Sequence, residues 1–170
     1  MFRPSNKVNP DTISLIHKKI WDKKPTLQAI YTHYFQQLTE ACVGGRILEI
    51  GGGIGGFRTY SNQVVSMDIQ SFNWLDIVAD AHFLPFKSNS FSNIVMLDVL
   101  HHLECPKIFF MEAVRVLASG GRIVLIEPAI TPLSWLIYKY FHYETVDMTK
   151  NPLTNDTFLP GRLPFDGNQA

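Results

Sequence analysis

An open, doubly wound α/β fold is what the 170-residue chain predicts, on three observations. Short apolar runs alternate with helical spacing; the runs lack the strict polar alternation of half-exposed strands; and the first of them ends in the glycine-rich turn Gly51-Gly52-Gly53-Ile54-Gly55-Gly56. From Asp11 to Glu40, apolar residues at Ile13, Ile16 and Ile20, then Leu27, Ile30, Tyr34 and Leu38, recur at helical intervals. Lys24-Pro25 interrupts them, so two N-terminal helices are expected within residues 1–42. Strands are expected from Arg46 to Ile50, Val64 to Asp68, Ile77 to Ala79, Asn93 to Leu97 and Arg122 to Glu127, each buried on both faces. A helix from Pro106 to Leu117 should stop at Gly120-Gly121. Right-handed crossovers between such strands give a mainly parallel sheet with helices on both faces. Residues 46–128 are the expected binding core of a single domain spanning 1–170, with 129–170 an insertion or truncated tail.

The glycine turn admits three ligands. Glycine permits positive φ and removes the Cβ atoms that would hold a ligand off the main chain, and a turn of this kind after a strand opens the nucleotide site of Rossmann-like sheets. A P-loop requires Lys and then Ser or Thr after its last glycine, whereas Gly56 is followed by Phe57-Arg58-Thr59. Gly51, Gly53 and Gly56 do satisfy the dinucleotide spacing, with Asp68 near the position of a ribose-binding acid about 20 residues on. Charge separates the readings better than spacing. Glu49 at the strand end would face a pyrophosphate with no cation in the loop to offset it. S-adenosylmethionine carries no phosphate, but a sulfonium and an ammonium group, and suits an acid there.

Composition narrows the function further. Hydrophobic residues make up 46% and aromatics 12%, which supports a packed core. Lys plus Arg and Asp plus Glu stand at 15 each, so no charge excess points to nucleic acid or an anionic membrane. Cys42 and Cys105 have neither metal-ligand spacing nor disulfide density. No metal site is expected, and a reducing cytoplasm is the expected location. The apolar window from Ile130 to Phe141 is too short to span a membrane.

Several ordered blocks resemble the class I S-adenosylmethionine-dependent methyltransferases, in particular the small-molecule group that includes the ubiquinone and menaquinone enzymes. These are Glu49-x-Gly51-x-Gly53-x-Gly55; Val64 to Asp68; Ala79-Asp80-Ala81 with Leu84-Pro85-Phe86; Phe91 to Leu103; and Glu112 to Arg122. The resemblance implies methyl transfer to a small-molecule acceptor, with S-adenosyl-L-methionine as donor and S-adenosyl-L-homocysteine as product. It implies donor binding by Glu49, Gly51, Gly52, Gly53, Gly55, Asp68, Ile69, Asp80, Ala81 and Asp98. Asp68 would accept from both ribose hydroxyls; Asp80 and Ala81 would meet adenine; Ile69 and Phe83 would flank it. A solvated strand-end acid, a loop cap and core packing are the respective alternatives.

Asp98, His101 and Glu127 are the candidates for chemistry at the acceptor, His101 as a base near neutrality, although a histidine here can equally pack and Glu127-Pro128 can equally be a strand exit. Because a sulfonium is already an activated leaving group, a general base is needed only if the acceptor arrives protonated, and no side chain is singled out as essential. Glu112 and Arg115 are expected to make packing contacts. Two alternatives remain open: a donor-binding domain without turnover, and an NAD-type oxidoreductase. The resemblance also implies two further strands after the fifth, for which residues 131–170 offer no convincing pair. The sheet is therefore expected to lack its C-terminal strands, and the exposed edge, or residues 134–143, to pair with a second copy.

Overall fold

A computed structural model describes residues 19–21, 23–53, 55–129 and 131–141. Its centre is a five-stranded parallel sheet in the order β3-β2-β1-β4-β5, from β1 (Ile47–Ile50), β2 (Val64–Asp68), β3 (Ile77–Val78), β4 (Phe91–Leu97) and β5 (Leu117–Ile126). The order reverses at β1, and the crevice at such a reversal is where open α/β sheets bind ligands. Helix α1 (Pro25–Ala41) begins on Pro25, whose missing N–H costs nothing in a first turn. Its Phe35 and Leu38 pack on one sheet face against Ile47, Phe57, Val64 and Val95. Helix α2 (Pro106–Val116) covers the other face, where Phe109, Ala113 and Val116 meet Leu48, Ile50, Met67, Ile94 and Met96. Helix α3 (Pro132–Phe141) follows β5. No helix among the described residues is long and apolar enough to cross a membrane.

The doubly wound fold with helices on both faces is as expected, and three of its details differ. Asn93, fully buried in β4, accepts from Val43 N at 2.9 Å and donates to Val43 O at 2.7 Å, fixing the exit of α1 onto the sheet. That strand begins at Phe91, two residues before the expected Asn93. The predicted stop at Gly120-Gly121 is instead an irregularity inside β5: Leu117 pairs with Phe91 and Arg122 with Asn93, leaving residues 118–121 opposite a single residue. A Cβ on Gly121 would stand 2.9 Å from the carbonyls of both Ala118 and Ser92, so the glycine serves close backbone approach. β5 is also half-exposed along most of its length, contrary to the expected two-sided burial, because among the described strands only β4 flanks it. The crossovers on the α1 face are short. Among the described residues of 51–63 the only helical piece is the 3₁₀ turn Phe57–Thr59, and the eight residues 69–76 contain no helix. The expected helix from Asp11 falls largely outside the described residues, as does most of the expected tail from 129 to 170.

Candidate functional site

The carboxyl ends of β1, β2 and β4 open into a cavity of about 670 Å³, within the range of small-molecule sites. Glu49, Gly51, Gly52, Gly53, Asp68, Ile69, Asp80, Ala81 and Asp98, nine of the ten predicted donor-binding residues, all line it. Gly55 lies behind, where a Cβ would meet the Trp74 ring at 2.6 Å. Phe83 is placed elsewhere, 63% exposed in a shallow groove with Ile108 and Met111, so it does not flank this cavity. Ile20, Trp21, Leu27 and Tyr31 contribute an apolar lobe to the lining of the same cavity.

Strand pairing and spacing explain the first acids. Glu49 and Ser66 are register partners on β1 and β2, and Ser66 Oγ donates to Glu49 Oε2 at 2.5 Å. Burial pushes the Glu49 carboxyl up to about 7, against the hydrogen bond from Ser66 and the charge of Arg58, and with reinforcement from Asp68 and Asp76. Asp68, at the end of β2, accepts from Gly53 N at 3.0 Å and from Gln70 N at 2.9 Å. This carboxylate therefore holds the glycine turn from below while lining the cavity. Asp80 Oδ1 accepts from His82 N at 2.9 Å and from His82 Nδ1 at 2.6 Å, the loop-capping geometry that was the alternative to adenine contact. The hydrogen bond from His82 holds the Asp80 carboxyl below the usual range.

Two supports were not legible as functional signals. Buried His82 accepts at Nε2 from Cys105 N at 3.2 Å, so its proton sits on Nδ1 and the Asp80 loop is tied to the start of α2. Trp74 Nε1 donates to Gly53 O at 2.7 Å with its ring stacked on Phe72, while Arg58 donates to Trp74 O and pairs with Asp76. The helix-free 69–76 segment thereby braces the glycine turn. Trp74→Phe keeps the stack and removes one hydrogen bond of about 1 kcal/mol. Calorimetric affinity for S-adenosylhomocysteine should fall roughly fivefold, and an unchanged affinity would show that Gly53 needs no brace.

At the β4 end, Asp98 is left-handed with φ 55° and lines the cavity. Burial, with a further contribution from Glu127 and opposition from His101, raises its carboxyl. Burial and Asp98 likewise raise Tyr31, the phenol of the apolar lobe. His101 and Glu127, both predicted to face the acceptor, face one another: His101 Nδ1 donates to Glu127 Oε2 at 2.5 Å, and Glu127 Oε1 accepts from Val99 N at 2.9 Å and Leu100 N at 2.7 Å. Neither lines the cavity. His102 does, with its ring 4.1 Å from that of His101. Glu112 and Arg115 make packing contacts, bracing the Leu84–Phe86 loop: Glu112 accepts from Leu84 N, and Arg115 donates to the carbonyls of Leu84 and Phe86.

Residues 48–125 match the family model described as a methyltransferase domain. An uncharacterized protein of Methanocaldococcus jannaschii is 33% identical over 106 residues, 58% of this chain; the chain spans about half of that relative, 52%. A Pyrococcus horikoshii protein of solved structure aligns with TM-score 0.52 at 24% identity, covering 61% of this chain and 58% of that one. A Methanococcus maripaludis structure titled a putative S-adenosyl-L-methionine-dependent methyltransferase aligns with TM-score 0.54 at 17% identity, covering 73% and 67%. The two structures share the fold, and with the family match they bear out the resemblance read from the residues.

Proposed function

We propose, on the premise that residues 48–125 are a methyltransferase domain of the class I, S-adenosylmethionine-dependent kind, that the cavity binds S-adenosylmethionine and directs its methyl group to a small-molecule acceptor. The observation that carries the reading is the charge of the lining. Asp68, Asp80, Asp98 and Glu104 supply four carboxylates and Glu49 a fifth acid that ionises at about 7, and no lysine or arginine lines the cavity among the described residues. A pyrophosphate would meet like charge, whereas a sulfonium and an ammonium are attracted. The space above Gly53 supports the fit, since a Cβ there would meet only Gly51 O, at 3.6 Å.

When bound, the donor supplies a methyl group already activated by positive sulfur. The residues lining the cavity would hold that donor for in-line attack by the acceptor, with S-adenosylhomocysteine as the leaving product. The chain's part is alignment and exclusion of water, effects that supply most of such an acceleration. Asp68 fixes the ribose end, Asp80 and Ala81 border the adenine end, and Glu49 and Asp98 flank the charged end. The apolar lobe at Ile20, Trp21, Leu27 and Tyr31 receives the acceptor. His102, which lines the cavity, is better placed than His101 to take a proton from it.

Titration calorimetry with S-adenosylmethionine, S-adenosylhomocysteine and NAD tests the cofactor. Binding of NAD without the sulfonium ligand would favour the oxidoreductase alternative. Transfer of a radiolabelled methyl group into a metabolite extract separates turnover from binding alone. Asp68→Ala should weaken S-adenosylhomocysteine by about 2 kcal/mol, the scale of hydrogen bonds to a charged group; a loss below about 0.5 kcal/mol would place the ribose elsewhere.

A further inference from the structure

Glu127 directly follows β5, and the hydrogen bonds of its carboxylate lead into one short turn. Oε1 accepts from Val99 N and Leu100 N, and Oε2 from His101 Nδ1. Asp98, at the head of that turn, donates its own N–H to Ile126 O at 2.9 Å and holds φ 55°, a conformation that costs a non-glycine residue energy unless its surroundings impose it. The next residue, Val99, packs directly over Gly51, so closely that a side chain at Gly51 would collide with it. Burial alone would raise the Glu127 carboxyl, yet the hydrogen bonds from His101 and from the two amides outweigh it and hold the group below its usual range. The carboxylate thus stays charged on three donors in a half-buried position. A charged acceptor with three donors is a strong tether.

We propose that Glu127 is a positioning residue: through the 98–100 turn it sets the Asp98 carboxylate at the charged end of the donor cavity and seats Val99 against the glycine turn. This rests on the donor-binding reading above. Glu127 touches neither donor nor acceptor, and His101 serves as its third donor. Glu127 in this way connects β5, none of whose residues lines the cavity, to the cleft between β1 and β4.

The test is a double-mutant cycle read by calorimetry with S-adenosylhomocysteine, using Glu127→Ala and Asp98→Ala separately and together, with Glu127→Gln as the conservative variant. Glu127→Ala should weaken binding about tenfold or more, the consequence of losing charge-assisted hydrogen bonds. Glu127→Gln should recover most of it, because its carbonyl still accepts from both amides and its NH₂ can meet an unprotonated His101 Nδ1. In the Asp98→Ala background the Glu127→Ala penalty should fall to about twofold or less, since residues acting through one another are non-additive. Faster hydrogen exchange at Val99 and Leu100 should accompany Glu127→Ala, with unchanged far-ultraviolet circular dichroism.

A full penalty in the Asp98→Ala background, or wild-type affinity in a folded Glu127→Ala protein, would overturn the proposal. Should Glu127→Ala fail to fold, Glu127→Gln decides: protected amides with near-wild-type affinity support the tether, and exposed amides with unchanged affinity overturn it. No binding by the unsubstituted protein would instead overturn the donor reading itself.

Discussion

Gly53→Val is expected to lower affinity for S-adenosylhomocysteine by a factor on the order of 100, about 2.7 kcal/mol. Gly53 has φ 40°, and its missing side chain would point into the cavity, where the nearest protein atom is Gly51 O at 3.6 Å. Branched carbons at that point take the ligand's volume and leave the protein's own packing largely intact. A β-branched residue also resists positive φ, so some stability is lost independently of the ligand. Gly53→Ala separates the two effects: it adds a single carbon and a smaller backbone cost of about 1 kcal/mol. Calorimetry should show partial loss with alanine and near-complete loss with valine, both proteins remaining folded by circular dichroism. Wild-type affinity in folded Gly53→Val would mean that the glycine turn is only a turn.

Glu49 should make stability depend on pH in the direction opposite to that of a salt-bridged acid. Burial lifts its carboxyl from 4.5 to about 7, so the folded chain keeps a proton that the unfolded chain has released. The stability this provides is complete below pH 4.5 and is lost as pH rises through 7. At about 1.4 kcal/mol per pH unit, the loss amounts to about 3 kcal/mol. Glu49→Gln has no such proton to lose, so its stability relative to the native protein should rise by about that amount between pH 4.5 and 8. Urea denaturation of both proteins across this range measures it; a difference that stays constant with pH would show that Glu49 is solvated. A cationic ligand seated against Glu49 favours the ionised form. Binding near pH 6.5 should then release a proton, seen as calorimetric heats that vary with the ionisation enthalpy of the buffer.

Much of the cavity's lining around the glycine turn was legible along the chain because it is built from strand ends. Glu49, Asp68 and Asp98 each fall at the carboxyl end of a short apolar run, and a parallel sheet brings such ends to one edge. Asp80 and Ala81 followed from the next block in order. Less legible was the lining that follows β4. His101 and His102 are neighbours with identical chemistry, and which of them faces the cavity depends on the 3₁₀ turn Leu100–His102. Gly120-Gly121 looked like a helix stop because glycine commonly ends helices; a strand irregularity uses the same residues for close backbone approach. Trp74 carried no motif, and its role appears only once residues 69–76 fold without a helix onto the glycine turn.

The amino-acid sequence by itself determined the parallel α/β frame, the glycine turn and the acids that meet at its mouth, since hydrophobic periodicity and strand polarity are local properties. The tertiary structure alone decided what those acids touch. Glu127 lies 26 residues from His101, and Asp68 15 residues from Gly53. Partners so far apart are chosen by strand order and crossover length, which set distances through space that spacing along the chain does not encode.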